Sequence, residues 1–424
     1  MFQKLKPKSE FSRNILTLMT GTTIAQAIPI AISPILTRLY TPEDFGVFAL
    51  YMSISGIVAV IATGRYELAI ILPTSEDEAK HIFVLSLLIT LVISLITLFG
   101  ILFFNELITN LLDNQKISSW LYFIPLTVFT LGIYQSLSYW LNRQKSYKDI
   151  AANKAIQSAT IASANLSLGF SKFMSFGLIG GQIIGQGVAM ILLYKKVIEK
   201  DPNIFSKITF SKITILARRY IDFLTINTLH SFINMAKENF ANILIATQYV
   251  SAYLGMYYLV IKVMKAPVTL IGYSVSQVFY KKATDLFNEN KNIYKLVRKM
   301  MISLFLVGIL PLIAFLTFAI DVFSLIFGED WSIAGYYAQA LAPYIFLHFI
   351  ASPLGMVPII VKKQKQALLW GITESALFIF SFIMGYTLFE DLNLTLWLLS
   401  LTMFLYFPVY FLWILKISKG KKRK

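Results

Sequence analysis

Residues 82–104 read IFVLSLLITLVISLITLFGILFF, 23 positions without a charged side chain. A helix rises about 1.5 Å per residue, so this run can cross the ~30 Å hydrocarbon layer of a bilayer. Seven more charge-free runs of comparable length follow the same pattern, at 14–37, 45–64, 117–141, 173–194, 300–320, 331–361 and 392–415. Four weaker ones complete the set. Residues 155–170 are short and rich in Ser, Thr and Asn. The segment 223–247 holds Lys237 and Glu238, 252–280 holds Lys262 and Lys265, and 366–389 holds Glu374. Backbone polar groups inside lipid must bond within their own segment, so each run is predicted to be a helix. The expected fold is all-α and integral to the membrane, with about twelve transmembrane helices and short loops.

Composition agrees. Of 424 residues, 57% are apolar and 14% charged, against about 25% charged in a soluble domain. Mean hydropathy is +0.67. The net charge of +16 suggests nucleic acid only until it is located. Thirty-two of the 38 Lys and Arg fall in alternate loops and the two termini, and three (Arg38, Lys116, Lys172) fall in the other loops. That is the positive-inside pattern of a protein with both termini cytoplasmic, and no nucleic-acid partner is expected. Residues 25–27 (AQA) resemble a signal-peptidase site, but the apolar run continues past them and is read as a retained first span.

There is no cysteine, which excludes disulfides and thiolate chemistry. The three histidines are scattered, and no nucleotide-binding loop or catalytic constellation is present. No cofactor, metal or enzymatic activity is expected. Gly177, Gly180, Gly181, Gly185 and Gly187 crowd the sixth span and suit close helix packing. Trp120, Trp140, Trp331 and Trp413 lie near span ends, as an interfacial belt would place them. The basic stretch 277–299 carries Tyr280, Phe287 and Tyr294 at near-helical spacing, which reads as an amphipathic helix on the cytoplasmic leaflet.

An internal repeat divides the chain. Residues 45–50 (FGVFAL) read like 254–259 (LGMYYL), and 142–145 (NRQK) like 362–365 (KKQK). The offsets, 209 and 220, nearly agree, and each pair holds the same place in the helix order. The expectation is a six-helix bundle over 1–195, a cytoplasmic linker over 196–218, and a second bundle over 219–424 with a basic tail. The two bundles share one orientation and flank a central cavity.

Charge inside a span is costly, so its residues are the candidate site. Lys262 and Lys265 lie three apart on one helix face. With Lys237 they would make a cationic chamber for an anionic substrate. Alternatively they snorkel to an interface, or pair with Glu238 and Glu374. Arg65 and Glu67 close the second span as a gate or phosphate contact, or as a local ion pair. Arg38 sits at the outer mouth. Glu238, Glu374 and Glu67 are candidates for ion coupling or charge pairing.

Several motifs resemble a known family. Residues 37–48 (TRLYTPEDFGVF) are similar to the first external loop of bacterial polysaccharide flippases. These are the O-antigen and capsule repeat-unit translocases of the multidrug/oligosaccharidyl-lipid/polysaccharide exporter superfamily, which is MATE-like. Residues 65–69 (RYELA) resemble the family's second-helix ending, Asn142-Arg143 its fourth-helix exit, and 327–331 (FGEDW) with Ala334-Gly335 the loop before its tenth helix. The motifs at Pro42, Gly46, Glu67 and Gly328 read as architectural. The resemblance implies two bundles around a V-shaped cavity in the bacterial inner membrane. It also implies alternating access and an undecaprenyl-diphosphate-linked oligosaccharide as substrate. Bilayer lipids, and other membrane proteins of polysaccharide assembly, are the partners it suggests. A cation-coupled drug exporter of the same superfamily is the alternative. A membrane glycosyltransferase or polymerase would want a long external loop, which is lacking.

Overall fold

The apolar runs form helices, and the chain caps them locally. In a computed structural model the backbone is described for residues 10–419. Side chains are described from residue 20, except those of His230, Asn234, Lys237, Glu238, Tyr273, Ser274 and Gln277. The helices are α1 (Glu10–Ala31), α2 (Ser33–Leu39), α3 (Pro42–Ala59), α4 (Glu76–Leu111), α5 (Ser118–Leu121), α6 (Ile124–Arg143), α7 (Tyr147–Phe170), α8 (Ser175–Lys200), α9 (Phe210–Arg219), α10 (Thr228–Gln248), α11 (Ser251–Asn288), α12 (Tyr294–Phe327), α13 (Ser332–Leu354), α14 (Val357–Ile360), α15 (Gln364–Phe389) and α16 (Leu392–Ser418). No strand occurs among the described residues. Each of the twelve expected spans coincides with a helix or a broken helix pair. Among the described residues, seven helices are individually long and apolar enough to cross a membrane, and eight if α5 and α6, bent by 50°, count as one span. The chain is a multi-pass membrane protein.

Two compact units divide the molecule, one ending at Gly255 and the other running Met256–Lys424. In the first, α3 opens with a capping box. The Thr41 hydroxyl accepts from the Asp44 amide at 3.2 Å, and the Asp44 carboxylate accepts from the Thr41 amide at 3.0 Å. Lys116 pairs with Glu43 beside it at 2.6 Å. The repeated glycines meet here. A Cβ on Gly46 would stand 1.9 Å from the Ser251 carbonyl oxygen, and one on Gly255 would stand 1.8 Å from the Pro42 carbonyl oxygen. The backbones of α3 and early α11 thus touch where each repeat places a residue without a side chain. The glycines of α8 do the same work against α7, as expected. A Cβ on Gly181 would strike Asn165 at 1.9 Å, and one on Gly185 would strike Ile161 at 2.2 Å. Gly177 leaves room for the buried ring of Tyr40, whose hydroxyl donates to the Asn165 carbonyl at 2.6 Å.

At its N-terminal end α4 starts from Ser75, with Glu76, Asp77 and Glu78 in the first turn, where carboxylates suit the helix dipole. Asp77 and Glu78 take Lys212 and Arg219 of α9 as partners. Lys212 holds the Asp77 carboxyl below the ordinary range. An open apolar groove of about 450 Å³ runs between α4, α6 and α8, lined by Leu87, Leu91, Phe129, Ile133, Met190 and Phe205 among others.

Two sequence expectations need correction. Trp140 and Trp331 are not interfacial, being 0% and 1% exposed. Trp140 packs at 5.5 Å on Phe83 in the core of the first unit. Residues 277–299 form no separate surface helix. α11 runs through Pro267 to Asn288, and α12 begins at Tyr294. The apolar face of this stretch, Phe279, Ala283 and Phe287, is buried with Ile293 and Val297 inside the second unit rather than laid on lipid.

Candidate functional site

After α3 the chain reverses through two left-handed residues, Gly64 (φ +57°) and Arg65 (φ +60°). Glycine reaches that region freely, whereas arginine holds it at a cost. The turn delivers Arg65 Nη1 to within 3.3 Å of Glu67 Oε1. The Thr63 hydroxyl donates to the other carboxylate oxygen. Glu67 is 1% exposed and Arg65 about a quarter exposed. Burial pushes the Glu67 carboxyl above its ordinary range, and Thr63 and Arg65 oppose that shift. Tyr139 of α6 lies close enough to feel both charges. One turn later Arg143 donates to the carbonyls of Ile70, Ile71 and Pro73 at 3.2, 3.2 and 2.7 Å, closing the 3-10 turn Tyr66–Ile71. Tyr66 donates to the Ala217 carbonyl at 2.8 Å and so ties the corner to α9. Of the two readings offered for Arg65 and Glu67, the local ion pair is what the geometry contains. It also leaves part of the guanidinium open.

Lys262 and Lys265 are half-buried on α11, within the apolar stretch Ser251–Gly272. Lys262 Nζ stands 5.9 Å from the ring centroid of Tyr258, one turn earlier, as a cation–π pair. Lys237 and Glu238 belong to α10 in the other unit, and their side chains lie outside the described residues. Arg38 is exposed in the last turn of α2, where positive charge suits the helix end. Gly328 adopts φ +105° after α12, which accounts for a glycine there.

Glu374 is half-buried on α15 and near enough to Tyr344, Tyr406 and Tyr410 to act on each electrostatically. Those rings extend into an aromatic cluster missed in the sequence. Trp370 contacts Tyr410 at 5.8 Å and Trp413 at 5.6 Å, and Tyr406 stacks on Tyr410 at 6.1 Å. The signal was present as Tyr406, Tyr410 and Trp413 at helical spacing, but apolar runs make aromatics look like lipid-facing filler. Among the described residues, no three or more His, Asp or Glu side chains converge as a metal site would require.

A family model described as "Polysaccharide biosynthesis protein" matches residues 35–334. No curated protein matches the chain. Among solved structures, the fold is similar to the lipid II flippase MurJ in an inward closed conformation. That likeness has TM-score 0.69 and 16% identity and covers 95% of this chain and 90% of that one. It is also similar to an inward-facing multidrug resistance MATE family transporter of the MOP superfamily (0.66, 14%, 94% of each chain). A third is a MOP superfamily transporter from Pyrococcus furiosus (0.56, 13%, 96% of each chain).

Proposed function

The chain belongs to the polysaccharide biosynthesis protein family, and we propose that it carries undecaprenyl-diphosphate-linked oligosaccharide repeat units across the bacterial inner membrane. It moves them from the cytoplasmic to the outer leaflet by alternating access. Both termini are cytoplasmic in this reading, as the charge distribution favours, and no bond in the substrate is made or broken. The fold it shares with a lipid II flippase is consistent with such work.

One observation carries the choice of an anionic headgroup: Lys262 and Lys265 are held half-buried in an apolar span. A transported diphosphate loses water as it enters hydrocarbon. Fixed ammonium groups offset that loss, and this explains retaining charge where it is otherwise costly. Lys237, Arg65 and Arg38 are the other cations assigned to the substrate in this reading. Other membrane proteins of polysaccharide assembly supply and receive the substrate.

Deleting the gene tests this. Surface polysaccharide should disappear while lipid-linked repeat units accumulate on the cytoplasmic side with sugar synthesis intact. Wild-type protein should restore export, and Lys262→Ala with Lys265→Ala should restore at least ten-fold less. Normal surface glycan in the deletion strain would defeat the proposal.

The aromatic surroundings of Glu374 favour a second reading. A carboxylate among tyrosine and tryptophan rings is suited to organic cations, as expected of a cation-coupled exporter. Lost efflux of organic cations with normal glycan selects it. Coupling through Glu374 or Glu238 is excluded if Glu374→Gln and Glu238→Gln leave transport and its response to uncouplers unchanged.

A further inference from the structure

The cytoplasmic half of α6 has two opposed faces. Phe129, Ile133 and Leu137 line the apolar groove against α4 and α8. The other side carries Tyr134, Gln135, Ser138, Tyr139 and Asn142, all half-buried. At about 100° per residue these five fall within a sector of roughly 140°. Five polar side chains on one sector of a membrane helix, turned from the groove, mark a face that does not meet lipid.

This face also holds polar atoms without partners. Gln135 Oε1, Ser138 Oγ and Tyr134 Oη are shielded from solvent and lack a hydrogen bond. The Tyr134 and Ser138 hydroxyls approach each other across one turn without reaching hydrogen-bond geometry. Arg65 Nε is likewise buried and unpartnered, beside Tyr139 at the end of the same face. Buried polar groups in native proteins are nearly always satisfied, and a cluster left open is costly. Such groups take their partners from water or from the hydroxyls of a bound ligand. Donors and acceptors interleaved over two turns and ended by a guanidinium match a ring bearing several hydroxyls linked to a phosphate.

We propose that this face of α6, ending at Arg65, is a carbohydrate-reading surface of the first unit. Tyr134, Gln135, Ser138 and Asn142 bind the hydroxyls of the repeat unit, and Arg65 binds its phosphate. The assignment rests on the flippase reading above and adds to it a sugar site.

The chain's lack of cysteine makes the test direct. Single variants Gln135→Cys, Ser138→Cys and Asn142→Cys, with Ser136→Cys and Leu137→Cys as controls, are placed in inverted membrane vesicles. A membrane-impermeant maleimide is then added. Variants that melt within a few degrees of wild type are compared, whatever polysaccharide they export. Positions 135, 138 and 142 should label at least ten-fold faster than 136 and 137. Labelling should slow at least three-fold in vesicles whose hosts have accumulated the lipid-linked repeat unit, relative to hosts blocked in its synthesis. Adding Arg65→Gln should remove that protection. Labelling at 135, 138 and 142 no faster than the controls overturns the proposal. So does fast labelling that the repeat unit leaves unchanged in vesicles that transport it, and there the flippase reading stands. If the deletion strain exports normal glycan, both fall together.

Discussion

Glu67 shows how burial and pairing compete at one residue. Its carboxyl is removed from water, which raises its pKa, and the Thr63 and Arg65 donors only partly offset that. A group that holds its proton more tightly folded than unfolded favours the fold at low pH. That contribution is withdrawn as pH rises above about 4.5, the ordinary value. Glu67→Gln stays neutral throughout. Its melting temperature in detergent should therefore gain on that of wild type as pH increases through this range, and a constant or shrinking difference would contradict the assignment. The partnership with Arg65 is legible in the sequence, since the two lie two positions apart at a span end. The burial is not, because Tyr139 of α6, which lies beside the pair, is distant in the chain.

At the scale of elements, the repeat is the most informative sequence feature. Gly46 and Gly255 are recognisable as counterparts from their neighbours alone. That the counterparts press on each other's helix is visible only in three dimensions. Gly46→Ala should destabilise the protein by about 1–3 kcal/mol or more, since the new methyl meets backbone that cannot rotate away. Gly255→Ala should do likewise. The double variant should cost less than the sum, because one shift of α11 relieves both clashes. Thermal melting of the three variants checks this. The Trp140 and Trp331 expectation failed at this scale. Position near a span end says nothing about which side of the helix faces lipid, and both rings face inward.

For the whole molecule, membrane residence and helix number are readable from charge-free runs, because lipid leaves the backbone one solution. The weaker spans are those that carry polar or charged residues: α7, which packs against α8, and α10, α11 and α15 with their internal charges. Periodicity alone cannot separate them from loops. The candidate site is less legible for the same reason. The sequence locates every intramembrane charge. It does not show that Glu374 sits among rings from α13 and α16, or that Tyr139 of α6 lies beside Arg65 and Glu67.

The groove between α4, α6 and α8 sets a condition on handling the protein outside its membrane. A space of about 450 Å³ walled by leucine, isoleucine and phenylalanine stays dry, so an alkyl tail must fill it. Octyl-tailed detergent should leave it partly empty, and dodecyl-tailed detergent should occupy it. The inactivation half-life at fixed temperature should lengthen with tail length. In Ile133→Trp, where an indole takes the place of the tail, that dependence should weaken.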